Sequence, residues 1–215
     1  KKFPALKFRM PAYRFIPSID IDAAYAYKNK GLTRALGGMV KAFQNRDLDD
    51  VKLRIKVLFN LEHDPFDTFE LQMKLQQQYK YRPIYFVLLA DYGINDKNIP
   101  HTNRYFRQLI RYLADYADIG IHPSYASSNE PSLMVMETAR LAKILKREVD
   151  FSRQHFLKLS LPETYRNLIN NDITHDYTMG YAEVPGFRAS ICTEFPFFDL
   201  DQDLQTNLII HPFAV

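Results

Sequence analysis

The stretch IPSIDIDAAYAY, residues 16–27, places Asp20 and Asp22 inside an otherwise apolar run of Ile16, Ile19 and Ile21. Successive side chains of a strand point to opposite faces, so the two carboxylates emerge on the same side. Two neighbouring negative charges are costly to dehydrate unless a cation or a hydrogen-bond donor answers them. The rest of the chain must therefore supply a partner for both.

Outward from this stretch, apolar runs alternate with segments of helical period. The strand candidates are 12–21, 83–90 (PIYFVLLA), 117–123 (ADIGIHP), 148–159 (EVDFSRQHFLKL) and 173–178 (ITHDYT), with a weaker one at 186–190 (GFRAS). Helical segments are expected over about 31–47, 67–79, 101–116, 131–147 and 162–170. That order predicts an α/β domain on a mainly parallel sheet or barrel. Residues 49–60 fit strand or helix equally. Asp64-Pro65 and Asp67 are candidate helix caps, and Ser160 through Glu163 reads as a capping box.

Polar side chains interrupt the strands near their C-terminal ends: Asp20 and Asp22, His122, Arg153 with His155, and Arg188. Ligand sites of parallel α/β folds lie along that edge. Asp22, His122 and a second imidazole form a carboxylate–His–His set suited to Zn²⁺ and tolerable for Co²⁺, Mn²⁺ or Ni²⁺. Asp20, on the same face, is placed to act as general base, with Arg153 or Arg188 keeping it charged. The chemistry implied is metal-assisted hydrolysis of an amide or ester. Taken singly, each residue also has a structural explanation: a cap for the aspartates, a turn for His122, a core hydrogen bond for His155, an ion pair with Glu183 or Glu194 for Arg188.

Composition narrows the field. Apolar residues make up 47% and aromatics 14% of the 215 residues, enough for a substantial core. The net charge of +3 is spread without a basic run, which argues against nucleic acid or an anionic membrane as the main partner. No apolar run is long enough to span a membrane. KKFPALKFRMPAY at the start lacks a signal-peptide core, from which a cytoplasmic rather than periplasmic location is expected. The lone Cys192 excludes an internal disulfide and a cysteine-based zinc site, and a buried inert thiol is its default reading. Gly37-Gly38 lacks phosphate-loop spacing, G-x-S-x-G is absent, and His101, His175 and His211 have no evident partner.

The motifs SIDIDAAYAYKNKG, DPFDTF, IGIHPSYAS, SRQHFLKLSLPETY and GYAEVPGFRAS together resemble the polysaccharide deacetylase superfamily, the NodB-homology or carbohydrate esterase family 4 group, in a divergent bacterial branch. The resemblance covers most of the chain, taken as one domain (1–215) and a fragment of a longer protein. It implies a distorted (β/α) barrel of fewer than eight strands. It also implies a base and a metal ligand in the first motif, here Asp20 and Asp22. Of the two histidines expected in the second motif, His122 matches the first and Ala126 stands in place of the second, so His155 becomes the candidate third ligand. The arginine that braces the base falls on Arg153, with Arg188 as rival, and His211 is a weak match to the late histidine motif. The implied substrate is an N- or O-acetylated sugar of a bacterial glycan, with Tyr125 and Arg188 as candidate sugar contacts and Tyr181 as a further stacking surface. The other reading keeps the fold without catalysis, as a domain that binds glycan or scaffolds its assembly.

Overall fold

A computed structural model describes residues 12–214; the leading segment 1–11, read above for a signal peptide, lies outside the described residues. Among the described residues seven strands form one sheet in the order β1-β2-β3-β4-β5-β7-β6. They are β1 (Ser18–Ile21), β2 (Ile84–Val87), β3 (Asp118–Ile121), β4 (Phe151–Ser152), β5 (His175–Asp176), β6 (Phe195–Asp199) and β7 (Leu204–Ile210). The first five are parallel in chain order, β7 joins β5 in parallel, and β6 returns antiparallel to β7 at the edge. The expected α/β architecture is what forms.

Helices α1 (Leu32–Gln44), α2 (Leu48–Leu58) and α3 (Phe69–Tyr79) lie between β1 and β2. They are followed by α4 (Arg104–Ala114), α5 (Pro131–Leu145) and α6 (Glu163–Ile169), each returning the chain to the next parallel strand. Residues 49–60, ambiguous in sequence, are mostly helix α2, because Asp47 caps them by accepting the Asp50 N–H. Asn103 starts α4 in the same way, accepting from Tyr105 and Phe106, and Pro131 occupies the first turn of α5.

Several local expectations are corrected. Thr68, not Asp64 or Asp67, precedes α3, and it makes no side-chain cap. Asp64 instead accepts the backbone N–H groups of Ala26, Tyr27, Lys28 and Phe66. No Ser160 capping box forms: Pro162 precedes α6, and the Ser160 N–H donates to Thr164 Oγ1. Strand 12–21 shortens to β1, while strand 148–159 ends at Ser152 and gives way to a 3₁₀ turn over His155–Leu157. No strand forms at 186–190. The edge hairpin β6–β7 takes its place, with positions Phe195, Phe197, Leu208 and Ile210 packing inward.

Hydrophobic burial is the main stabilising force, and it acts on the outer face of the sheet. Ile21, Tyr85, Val87, Ile119, Ile121 and Ile210 pack against Met73, Phe106, Ile110, Leu113, Leu141 and Leu168 of the helices. Strand β2 is buried along its whole length, as expected of a central parallel strand. Along α1, Leu32, Leu36, Val40 and Phe43 remain exposed.

The inner face is where the sheet curls into a distorted barrel. In a flat sheet β1 and β4 would stand about 14 Å apart, three strand spacings. Yet Arg153, just past β4, reaches Asp20 Oδ1 at 3.0 Å and Ser18 Oγ at 2.6 Å on β1. Phe86 of β2 lies under the same guanidinium, 4.6 Å from ring centre to Cζ. The curl needs a position without a side chain at Gly120, where a Cβ would come within 2.7 Å of both the Phe151 carbonyl and the Phe86 ring. Gly120→Ala should therefore destabilise the fold by about 1–3 kcal/mol through overpacking, seen as a lowered denaturant midpoint with an unchanged slope.

Candidate metal centre

The C-terminal ends of β1, β3 and β4 carry the candidate residues. Past Ile21 the ladder continues irregularly: Leu88 N–H donates to the Ile21 carbonyl, His122 N–H to Val87, Arg153 N–H to Ile121 and His155 N–H to Pro123. These bonds bring Asp22, His122 and His155 to one point, their ligand atoms all within 4.8 Å of one another. His122 Nε2 is 3.2 Å from Asp22 Oδ1, and His155 Nε2 is 3.7 Å from Oδ2. Both imidazoles are buried, while Asp22 is 55% exposed, so the cluster opens to solvent on the carboxylate side.

The far nitrogen of each ring is already committed. His122 Nδ1 contacts the Arg153 carbonyl at 2.5 Å, and since a carbonyl can only accept, that nitrogen carries the hydrogen. His155 Nδ1 lies 2.9 Å from Asp96 Oδ1, which fixes the same tautomer. Each Nε2 therefore faces Asp22 either with a second proton or across a shared cation. Burial alone would push the Asp22 carboxyl up, but the bonds and charge of His122 and His155 outweigh it and hold it well below the usual range. Desolvation would likewise lower the His155 imidazole, and Asp22 with Asp96 raises it instead. A carboxylate and two neutral imidazoles, each with its second nitrogen bonded outward, are a donor set that fits a zinc-type ion.

Asp20 sits beside this cluster in a different electrostatic setting. Arg153 Nη1 pairs with it, while Nε donates to the Tyr177 carbonyl and Nη2 to Ser18. The guanidinium is buried between Phe86 and Phe213, 4.3 Å from the latter ring centre. Of the two arginine candidates, only Arg153 contacts Asp20. Arg188 is exposed and donates to the Leu157 carbonyl at 3.4 Å, and Tyr181 is exposed as well. Tyr125 meets Phe156 edge to face at 5.6 Å, with the Lys158 ammonium 4.4 Å over its ring.

Two groups have no reading in sequence, and a third, the pair His175 and His211, reads there as lacking partners, with His211 a weak match to the late histidine motif. Buried Asp96, in the irregular segment after β2, accepts from Tyr125 N–H and Ala126 N–H as well as from His155. Buried Glu137 of α5 accepts the Ser124 N–H, and burial raises its carboxyl. His175 and His211 pair at 2.8 Å, with Glu194 at 3.3 Å from His211 and the Tyr177 ring stacked on it. Alternating apolar character gives no clue to their contacts, because each is met by a residue from another segment of the chain. Cys192 is exposed, contrary to the buried thiol expected, since it lies on the loop that replaces a strand before β6.

Among solved structures, the chain is similar to IcaB from Ammonifex degensii, at 11% identity over 53% of this chain and 55% of that one, with a TM-score of 0.40. It is also similar to a candidate polysaccharide deacetylase from Mycobacterium smegmatis, at 13% identity over 79% and 52% of the two chains, TM-score 0.46. A third is the de-N-acetylase of Aggregatibacter actinomycetemcomitans, at 7% identity over 75% and 85%, TM-score 0.40. The chain spans about half the length of the first two. No protein-family model matches it, and no curated protein matches it in sequence. No helix among the described residues is long and apolar enough to cross a membrane.

Behind the cluster, Asp176 at the end of β5 is wholly buried, and burial pushes its carboxyl up to about 7 against the bonds it accepts from Thr178 and the charge of Arg153. An unfolded aspartate titrates near 3.9. Between about pH 4 and 7 the folded chain thus holds a proton that the unfolded chain releases, and stability falls as pH rises through that window. In Asp176→Asn, neutral at every pH, this part of the fall should vanish, as read by urea titrations of both proteins from pH 4 to 8.

Proposed function

We propose that this chain is a metal-dependent carbohydrate deacetylase that removes acetyl groups from an N- or O-acetylated sugar of a bacterial glycan. The observation that carries the reading is the convergence of Asp22, His122 and His155 beside an arginine-held Asp20. In this reading the first three residues would hold a divalent cation, zinc by the character of the donors, with Co²⁺, Mn²⁺ or Ni²⁺ as substitutes. When bound, such an ion supplies Lewis acidity to the acetyl carbonyl and lowers the pKa of water.

The chain's own groups do the rest. Asp20, paired with Arg153, accepts the proton of the attacking water. The water oxygen joins the acetyl carbon, the bond from that carbon to the sugar nitrogen or oxygen breaks, and a proton ends on the freed amine or hydroxyl. Arg153 keeps the base turned towards the cluster through its two further bonds. Tyr125, backed by Phe156, offers a ring face for stacking on a sugar, and Arg188 a charged contact on the same side as Leu157. A glycan-binding domain without catalysis is favoured by one feature, Ala126 at the position where the resemblance expects an imidazole.

Zinc uptake by the metal-free protein separates the two readings. The deacetylase should bind one equivalent at micromolar concentration and release acetate from N-acetylglucosamine oligomers, both abolished by a chelator. Asp22→Ala and His122→Ala should lose the metal. Asp20→Asn should keep it and lose about 10²–10⁴ in turnover. A fully active Asp20→Asn would remove Asp20 from the mechanism, and a protein that binds glycan but no metal would favour the second reading.

A further inference from the structure

We propose that Asp96 is the positioning residue that allows His155 to serve as the second imidazole of the cluster, in place of a side chain at 126; this rests on the metal-binding reading above. His155 does not sit on a regular strand. It opens a 3₁₀ turn in which Phe156 and Leu157 both have positive φ, 59° and 50°. Nothing in such a turn fixes the ring by itself, since a half-turn about the Cβ–Cγ bond would put Cδ2 in place of Nδ1 and Cε1 in place of Nε2, turning the ligating nitrogen away. Asp96 removes that freedom. Its Oδ1 holds the ring's Nδ1–H at 2.9 Å, which leaves Nε2 pointing at Asp22.

The same carboxylate ties the replacement imidazole to the second motif. Oδ1 also accepts the Tyr125 N–H at 2.9 Å and Oδ2 the Ala126 N–H at 3.4 Å. Residue 126 is thus linked to the cluster through its backbone: its amide binds the carboxylate that aims the replacement imidazole. Asp96 is itself held in a braced loop. Its carbonyl accepts the Gly93 N–H at 2.8 Å, and Asn98 donates to the carbonyls of Ala90 and Ile99. An anionic acceptor on the outer nitrogen also makes the inner one a stronger donor to a cation.

Three measurements test this. Zinc affinity by competition with a chromogenic chelator should fall about 10- to 100-fold in Asp96→Asn, a variant that keeps one acceptor oxygen and loses the charge. The thermal midpoint of its metal-free form should stay close to wild type. In a His155→Ala background the Asp96→Asn change should add little, because both act on one ligand. Nitrogen-15 NMR of the metal-free protein at high pH, where imidazoles are neutral, should show His155 as the Nδ1–H tautomer in wild type and a mixture in Asp96→Ala. Wild-type zinc affinity in Asp96→Asn together with an unchanged tautomer in Asp96→Ala overturns the proposal while leaving the metal site intact. If wild type takes up no zinc, the deacetylase reading fails, and the tautomer comparison still decides whether Asp96 sets the ring.

Discussion

Arg153 is the group on which the rest of the structure depends. Its side chain crosses the interior from β4 to β1, and its backbone joins the same site, the N–H bonding Ile121 and the carbonyl fixing the His122 ring. A buried guanidinium is tolerable only when its donors are met and its faces covered. Here carboxylate, hydroxyl and carbonyl oxygens meet the donors, and two phenyl rings cover the faces. The curl of the sheet and the orientation of the first histidine are thereby set by one residue.

The paired acids that open the fold are resolved in two different ways. Asp20 is answered by a permanent cation and Asp22 by two titratable rings, so adjacent carboxylates of one strand end are given different partners. That division is what two roles require: one group held by an arginine and free of the cluster, one committed to it.

The alternation of apolar runs and helical segments made the α/β order legible, and Asp20, Asp22, His122, Arg153 and His155 were all readable as residues aimed at one rim. Their convergence needed the curl, which no local pattern encodes. Asp96 was invisible because DYGINDKNIP has no period, and its partners lie 29, 30 and 59 residues away. The edge hairpin was missed because 186–190, ahead of Cys192, reads as the last strand, although GFRAS is too short and too glycine-bound to compete with Phe195–Asp199. Strand order favours Arg153 with Arg188 as rival, and the contacts decide it: Arg153 reaches Asp20, while Arg188 bonds the Leu157 carbonyl.

Asp64 gathers three successive amides, those of Ala26, Tyr27 and Lys28, from a segment 36 to 38 residues earlier in the chain. The path through α1 and α2 consequently leaves and re-enters the body of the protein at one pinned gateway, a few residues beyond Asp22. The detour closed in this fashion is moored a second time by Arg34 of α1, which donates to the Lys97 and Asn98 carbonyls, so its packing is felt by the loop that carries Asp96.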